Sequence, residues 1–243
     1  MSGMRDTYLI FRHNMRIQLR HKSAVLFGAA QPALFLVLFG PLFTSVGTWE
    51  ILVPGLIVQL ALFSAGLAGF GIVFDVRFGV LDRLRVTPAG RTPLLLGRVL
   101  GNVAVLLVQT VLLLALGYAF GLRAPLPGVL LGLALIVPLG VSLASLSYAV
   151  ALTIDQETFA PMVSTVIVPL TLLSGAFLPM SMAPPWLDAV SRLTPFRYVV
   201  EALREMFTGH YATPAVAAGA AVTAALTALC LALAARVFAR ATA

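Results

Sequence analysis

The chain has 243 residues, 60% of them hydrophobic and only 10% charged, with a mean hydropathy of +1.01. Soluble domains carry about 25% charged residues, so this composition excludes an ordinary soluble fold. The net charge of +7 does not point to nucleic acid either, because the basic residues flank apolar segments instead of forming a polar domain of their own.

In chain order, residues 1–22 come first. Tyr8, Phe11, Met15 and Leu19 share one helical face, and Arg5, Arg12, Arg16 and Arg20 share an adjacent one. This predicts an amphipathic helix at the cytoplasmic membrane surface, serving headgroup anchoring, partner docking or both. Six charge-free stretches follow, at about 24–44, 51–74, 99–120, 128–154, 158–178 and 212–235. Each reaches the ~20 residues that cross the hydrocarbon core. The uncharged stretch 23–49 is too long for the core of a cleavable signal. Residues 45–50 and 121–127 read as short turns, the latter with Pro125 and Pro127. Cys230, the single cysteine, lies in an apolar stretch and excludes an intrachain disulfide framework.

Orientation follows from the arginines and the one lysine. Arg5, Arg12, Arg16, Arg20 and Lys22 precede the first span, Arg77, Arg83, Arg85, Arg91 and Arg98 follow the second, and Arg236 and Arg240 lie in the tail. These twelve face only Arg123, Arg192, Arg197 and Arg204 on the other side. Both termini are therefore expected in the cytoplasm and residues 179–211 outside.

The chemistry that these spans lack narrows the function. None contains an acidic residue, and His13, His21 and His210 lie outside them. A membrane enzyme needs polar catalytic groups, and an ion-driven transporter is expected to hold ionisable groups at membrane depth. Lys22-Ser23 ends like a phosphate loop, but Gln18-Leu19-Arg20-His21 supplies none of its glycines. The chain is expected to bind no nucleotide, metal or other cofactor and to draw any energy it uses from elsewhere. The GxxxG runs starting at Gly97, Gly117 and Gly128 read as helix packing or chance, not as ligand sites.

Two connections are long enough to have structure. Segment 75–98 sets mixed charges around Leu81, Leu84 and Val86 before the break at Pro88, with Thr92 and Pro93 opening the next helix. It reads as a short amphipathic helix, or as a loop whose arginines enforce topology. Segment 179–211 repeats apolar residues at helical spacing: Trp186, Leu187, Val190 and Leu193, then Val199, Val200, Leu203, Met206 and Phe207. Two short helices are predicted, separated at Pro195 with Thr194 as the cap, and their apolar faces against the bundle. Asp188, Arg192, Glu201, Arg204 and Glu205 are expected toward water or each other, with Glu201 and Arg204 spaced as an i,i+3 pair. The hairpin reads either as a cap closed over the bundle or as two helices lying passively on the outer leaflet.

The run Gly79-Val-Leu-Asp82-Arg-Leu-Arg-Val-Thr87-Pro88 resembles the hallmark loop of permease subunits of type-2 ABC exporters, notably the daunorubicin-resistance-like drug permeases. A second family hallmark is matched by Leu173-Ser-Gly-Ala-Phe-Leu-Pro179, Pro185-Trp186, and Leu193-Thr-Pro-Phe-Arg-Tyr198 leading to Glu201-Ala-Leu-Arg204. Val80 and Asp82 depart from the commoner threonine and glutamate, though Asp82 keeps the charge.

The resemblance implies one all-α integral membrane domain over residues 1–243. It has six transmembrane helices, the interfacial helix at 1–22, a coupling segment at 75–98 and an external re-entrant hairpin at 179–211. It further implies a multi-pass permease of a bacterial plasma membrane that exports a hydrophobic or amphiphilic compound, as in drug efflux. The permease would pair with a second copy or a related permease, and ATP and Mg would be used by a separate ATP-binding subunit. Gly79, Leu81, Asp82, Arg83, Leu84, Arg85, Thr87 and Pro88 are the expected ATPase contacts. Trp186, Pro195, Phe196 and Phe207 are the expected external gate. The competing reading is a membrane assembly or scaffold protein that transports nothing.

Overall fold

A computed structural model describes residues 7–12, 15–16, 22–43, 49–77, 91–177 and 179–241, and among them there is helix and turn but no strand. The helices are α1 (Lys22–Phe43), α2 (Trp49–Gly66), α3 (Phe70–Arg77), α4 (Arg91–Phe120), α5 (Leu126–Ala151), α6 (Gln156–Leu173), α7 (Pro185–Ser191), α8 (Pro195–Phe207) and α9 (Pro214–Ala241). Residues 7–12 are also helical, and Met180–Met182 form one 3-10 turn.

Among the described residues, four apolar stretches are long enough to cross a membrane: Trp49–Val73, Pro93–Phe120, Leu126–Ala151 and Pro214–Phe238. The remaining two expected spans correspond to α1 and α6, in which the described apolar stretches are Gly28–Leu38 and Glu157–Leu173. Expected to run through residue 178, α6 stops at Leu173 because Ser174 closes it and Gly175 turns left-handed at φ 73°. α4 starts at Arg91, close to the expected opening at Thr92 and Pro93, and its apolar stretch already begins at Pro93, ahead of the expected span start at 99.

The bundle is organised around α2, whose residues from Leu52 to Leu62 are all buried. An evenly apolar helix belongs in such a position. It packs against α1, α4, α5, α6 and α8, while α9 lies at the rim against α5 and α8. Only 17% of the apolar window of α9 is buried, against 61% for α2, which leaves its outer face to lipid.

One expected span is not continuous. Leu67–Gly69 form a turn between α2 and α3, and the Ser147 side chain of α5 closes it. The Ser147 hydroxyl donates to the Gly66 carbonyl and accepts the Gly69 N–H. Gly69 is required there, since a Cβ would lie 2.5 Å from the Ser147 carbonyl oxygen and 2.6 Å from the Phe159 ring. A side chain from another helix thus substitutes for ladder bonds that the break removes. Ser147→Ala orphans both groups and is expected to destabilise the purified chain by about 1–3 kcal/mol. Denaturation in detergent measures this, and an unchanged midpoint would show that the hydroxyl does not hold the break.

Candidate functional site

Segment 179–211 is built from α8 outward. Pro195 occupies the first turn of α8 and Thr194 stands at its N-cap, as expected, but the Thr194 hydroxyl donates back to the Ser191 carbonyl and not to an N–H of α8. The apolar stripe Val199, Val200, Leu203, Met206 and Phe207 is buried throughout. Its seat is cut by glycines. A Cβ on Gly128 would lie 2.0 Å from the Met206 carbonyl oxygen, and one on Gly219 would lie 2.5 Å from Ala202 and 2.8 Å from the Tyr198 carbonyl oxygen. A Cβ on Gly132 would approach Leu203 and Phe207 to 3.0 Å. The Gly128–Gly132 pair therefore serves close helix packing.

Arg204 lies opposite to its expected place. It faces inward, donating from Nε to the Ile51 carbonyl (3.0 Å) and from Nη2 to the Gly175 carbonyl (2.7 Å). Burial pushes the guanidinium down to about 10, which leaves it protonated at neutral pH. The planar fork suits this task, because two carbonyls from different elements are reached at once. Beside them, Gly55 meets the segment after α6 so closely that a Cβ would lie 1.7 Å from the Ala176 carbonyl oxygen. Arg204 thus clamps α8 to the start of α2 and to the end of α6.

Glu201 pairs with Arg197 (2.8 Å) instead of with Arg204. Arg197 also reaches Asp188 (2.6 Å) and donates to Ser191 Oγ (2.5 Å), and Arg192 completes the group at 2.7 Å from Asp188. The bonds from Arg197 and then Arg192 hold the Asp188 carboxyl below its ordinary value. This group sets the orientation of α7. It draws Asp188 and Ser191 toward α8, so the apolar side of α7 turns outward. Trp186 is 67% exposed and Leu193 85% exposed, contrary to the expectation that both pack on the bundle. Of the four expected gate residues, Phe196 and Phe207 are buried, Pro195 is half-buried and Trp186 is exposed.

At the other end, the expected ATPase contacts Gly79, Leu81, Asp82, Arg83, Leu84, Arg85, Thr87 and Pro88 lie outside the described residues. Its flanks are described: α3 leads into it and α4 leaves it. The helical residues 7–12 lie against the start of α4, where a Cβ on Gly97 would come within 2.7 Å of Ile10. Residues 7–12 therefore sit beside the second turn of α4.

Among the described residues, no three His, Cys, Asp or Glu side chains are grouped to hold a metal ion. The chemistry of these regions is mechanical: an amphipathic helix locked by glycine contacts and one buried cation, and a break in a buried helix held by one hydroxyl.

The ycf38 protein of Pyropia yezoensis, named as a transport permease, is 29% identical over 203 residues, covering 78% of this chain and 69% of that relative. The ycf38 protein of Cyanophora paradoxa, named likewise, is 26% identical over 207 residues, covering 79% and 71%. A protein of Mycobacterium tuberculosis named as a doxorubicin resistance ABC transporter permease, DrrC, is 27% identical over 161 residues, covering 65% of this chain and 58% of its own. The sequence model of the ABC-2 type transporter family matches residues 5–208, from the N-terminal segment to the end of α8, and the chain belongs to that family.

Proposed function

We propose that this chain is the membrane permease of an ATP-driven exporter that moves a hydrophobic or amphiphilic compound out of the cytoplasm or the inner leaflet. The family match over residues 5–208 carries the reading. It is supported by spans whose only acidic or basic side chains, Glu50, Arg98, Glu157 and Arg236, lie near their ends, which suits an apolar cargo and leaves the energy to a separate ATP-binding subunit. The proposed arrangement has six crossings with both termini in the cytoplasm. α1 and α6 complete the membrane layer, and α7 and α8 form a re-entrant hairpin on the outside. Two permease copies, or this chain and a related one, meet two ATP-binding subunits at residues 79–88. Asp82, Arg83 and Arg85 face the ATPase, and Leu81 and Leu84 fill its groove.

The test is reconstitution of the tagged chain in liposomes with the ATP-binding subunit that copurifies with it. Doxorubicin is a reasoned first probe, being the compound in the name of the mycobacterial relative. ATP-dependent movement of an amphiphilic probe is expected, together with its loss in Asp82→Ala and Leu84→Ala while membrane insertion is kept. If both variants move the probe normally, the loop is only a topological signal. If no ATP-binding subunit copurifies and nothing is moved, the chain is an assembly protein.

A further inference from the structure

A cavity of about 150 Å³ opens between α2, α5 and α6, walled by Leu62, Leu143, Met162, Val163 and Ile167 and by Phe196 of α8. We propose that it is a binding site for an acyl chain of a bilayer lipid. Three observations carry this. The first is the chemistry of the wall, which is aliphatic and aromatic apart from Ser147 and the backbone. The Ser147 hydroxyl is already committed to Gly66 and Gly69. A water held there needs two to four polar partners, so the occupant is apolar.

The second observation is size. A cavity of 150 Å³ with such a lining is as large as an engineered core cavity that admits benzene. It takes a short run of methylenes and is too small for a whole amphiphile. The third is access. The rim includes Leu146, 39% exposed, and Val166, 50% exposed, on the outward faces of α5 and α6. Those faces belong to apolar helices, so the opening gives onto acyl chains and not onto water. α6 makes few contacts with its neighbours and carries Pro161 and Pro169, so a chain lodged behind it would complete packing that the protein alone does not supply. The same chain would lie against Ser147, the residue that closes the break between α2 and α3.

The experiment uses the full-length chain in phosphatidylcholine nanodiscs containing a phosphatidylcholine with a diazirine on one acyl chain. After irradiation, the adducts are mapped by peptide mass spectrometry. Adducts are expected on Leu143, Met162 and Val163 as well as on the exposed reference residues Leu112 and Leu229. Filling the cavity by Val163→Phe, or independently by Ile167→Phe, is expected to abolish adducts at the remaining cavity positions and to leave those at Leu112 and Leu229 unchanged. Gel filtration identifies any variant that has lost its fold, and the other variant then decides. The proposal is overturned if the wild-type cavity residues stay unlabelled while Leu112 and Leu229 react. Cavity labelling that persists in folded, filled variants overturns it equally.

Discussion

Arg204→Gln is expected to cost on the order of 3 kcal/mol of stability, while Glu201→Gln, three residues away, costs less than about 1 kcal/mol. The i,i+3 spacing alone would make these two residues equal partners in one exposed pair. The structure separates them. Arg204 satisfies the carbonyls of Ile51 and Gly175 in a largely enclosed site, whereas Glu201 pairs with Arg197 nearer the surface. Hydrogen bonds to a charged group contribute about 1.5–3 kcal/mol each, and removing their donor leaves two acceptors facing α8 without it. Arg204→Lys keeps the charge but replaces a planar fork by a point donor and should recover only part of the loss. Thermal unfolding of the purified chain in detergent checks the order wild type, Lys, Gln. Equal effects of the Glu201 and Arg204 variants would rule out the clamp.

Gly55→Val should be at least as damaging, because the group it meets cannot yield. Overpacking typically costs about 1–3 kcal/mol when neighbouring side chains can shift. Here the obstacle is backbone: the Ala176 carbonyl carbon and Cα would lie 2.4 and 2.7 Å from the new Cβ, with the oxygen nearer still. The turn after α6 must move away from α2, and Gly175 is part of that turn. Arg204 could then hold only one of its two carbonyls. The two substitutions act on one junction, so the double variant is expected to fall short of the sum of the singles. Simple additivity in the same unfolding assay would mean that the contact at Gly55 and the clamp at Arg204 are independent.

The parts of this fold that were legible in the sequence are those where one helix decides its own face. In α8, the stripe Val199, Val200, Leu203, Met206 and Phe207 fixes which side is buried, and Thr194-Pro195 fixes where the helix begins. Arg204 was legible in part, since it stands four residues after Val200 and three before Phe207, on the edge of that stripe. Its acceptors were not, because Ile51 lies 153 residues away. The break after Gly66 was hidden for a related reason. An evenly apolar run carries no phase, and the hydroxyl that closes it comes from 81 residues further along. α7, at seven residues, is too short for its own stripe to dominate, so bonds from Arg197 turned it over. The family loop at residues 79–88 was legible as a motif, and it lies outside the described residues.

The seat of α8 also imposes an order on synthesis. α2 and α5 precede α8 in the chain, but Gly219, against which Tyr198 and Ala202 pack, belongs to the helix that follows. When α8 leaves the ribosome, half of its seat does not yet exist. The 28 residues of α9 take roughly 1–6 s to make at about 5–20 residues per second. Throughout that interval the apolar face of α8 must be sheltered by the lipid interface or by the insertion machinery. A nascent chain stalled before residue 214 would therefore present to quality-control proteases a degradable amphipathic end, which the last helix normally hides.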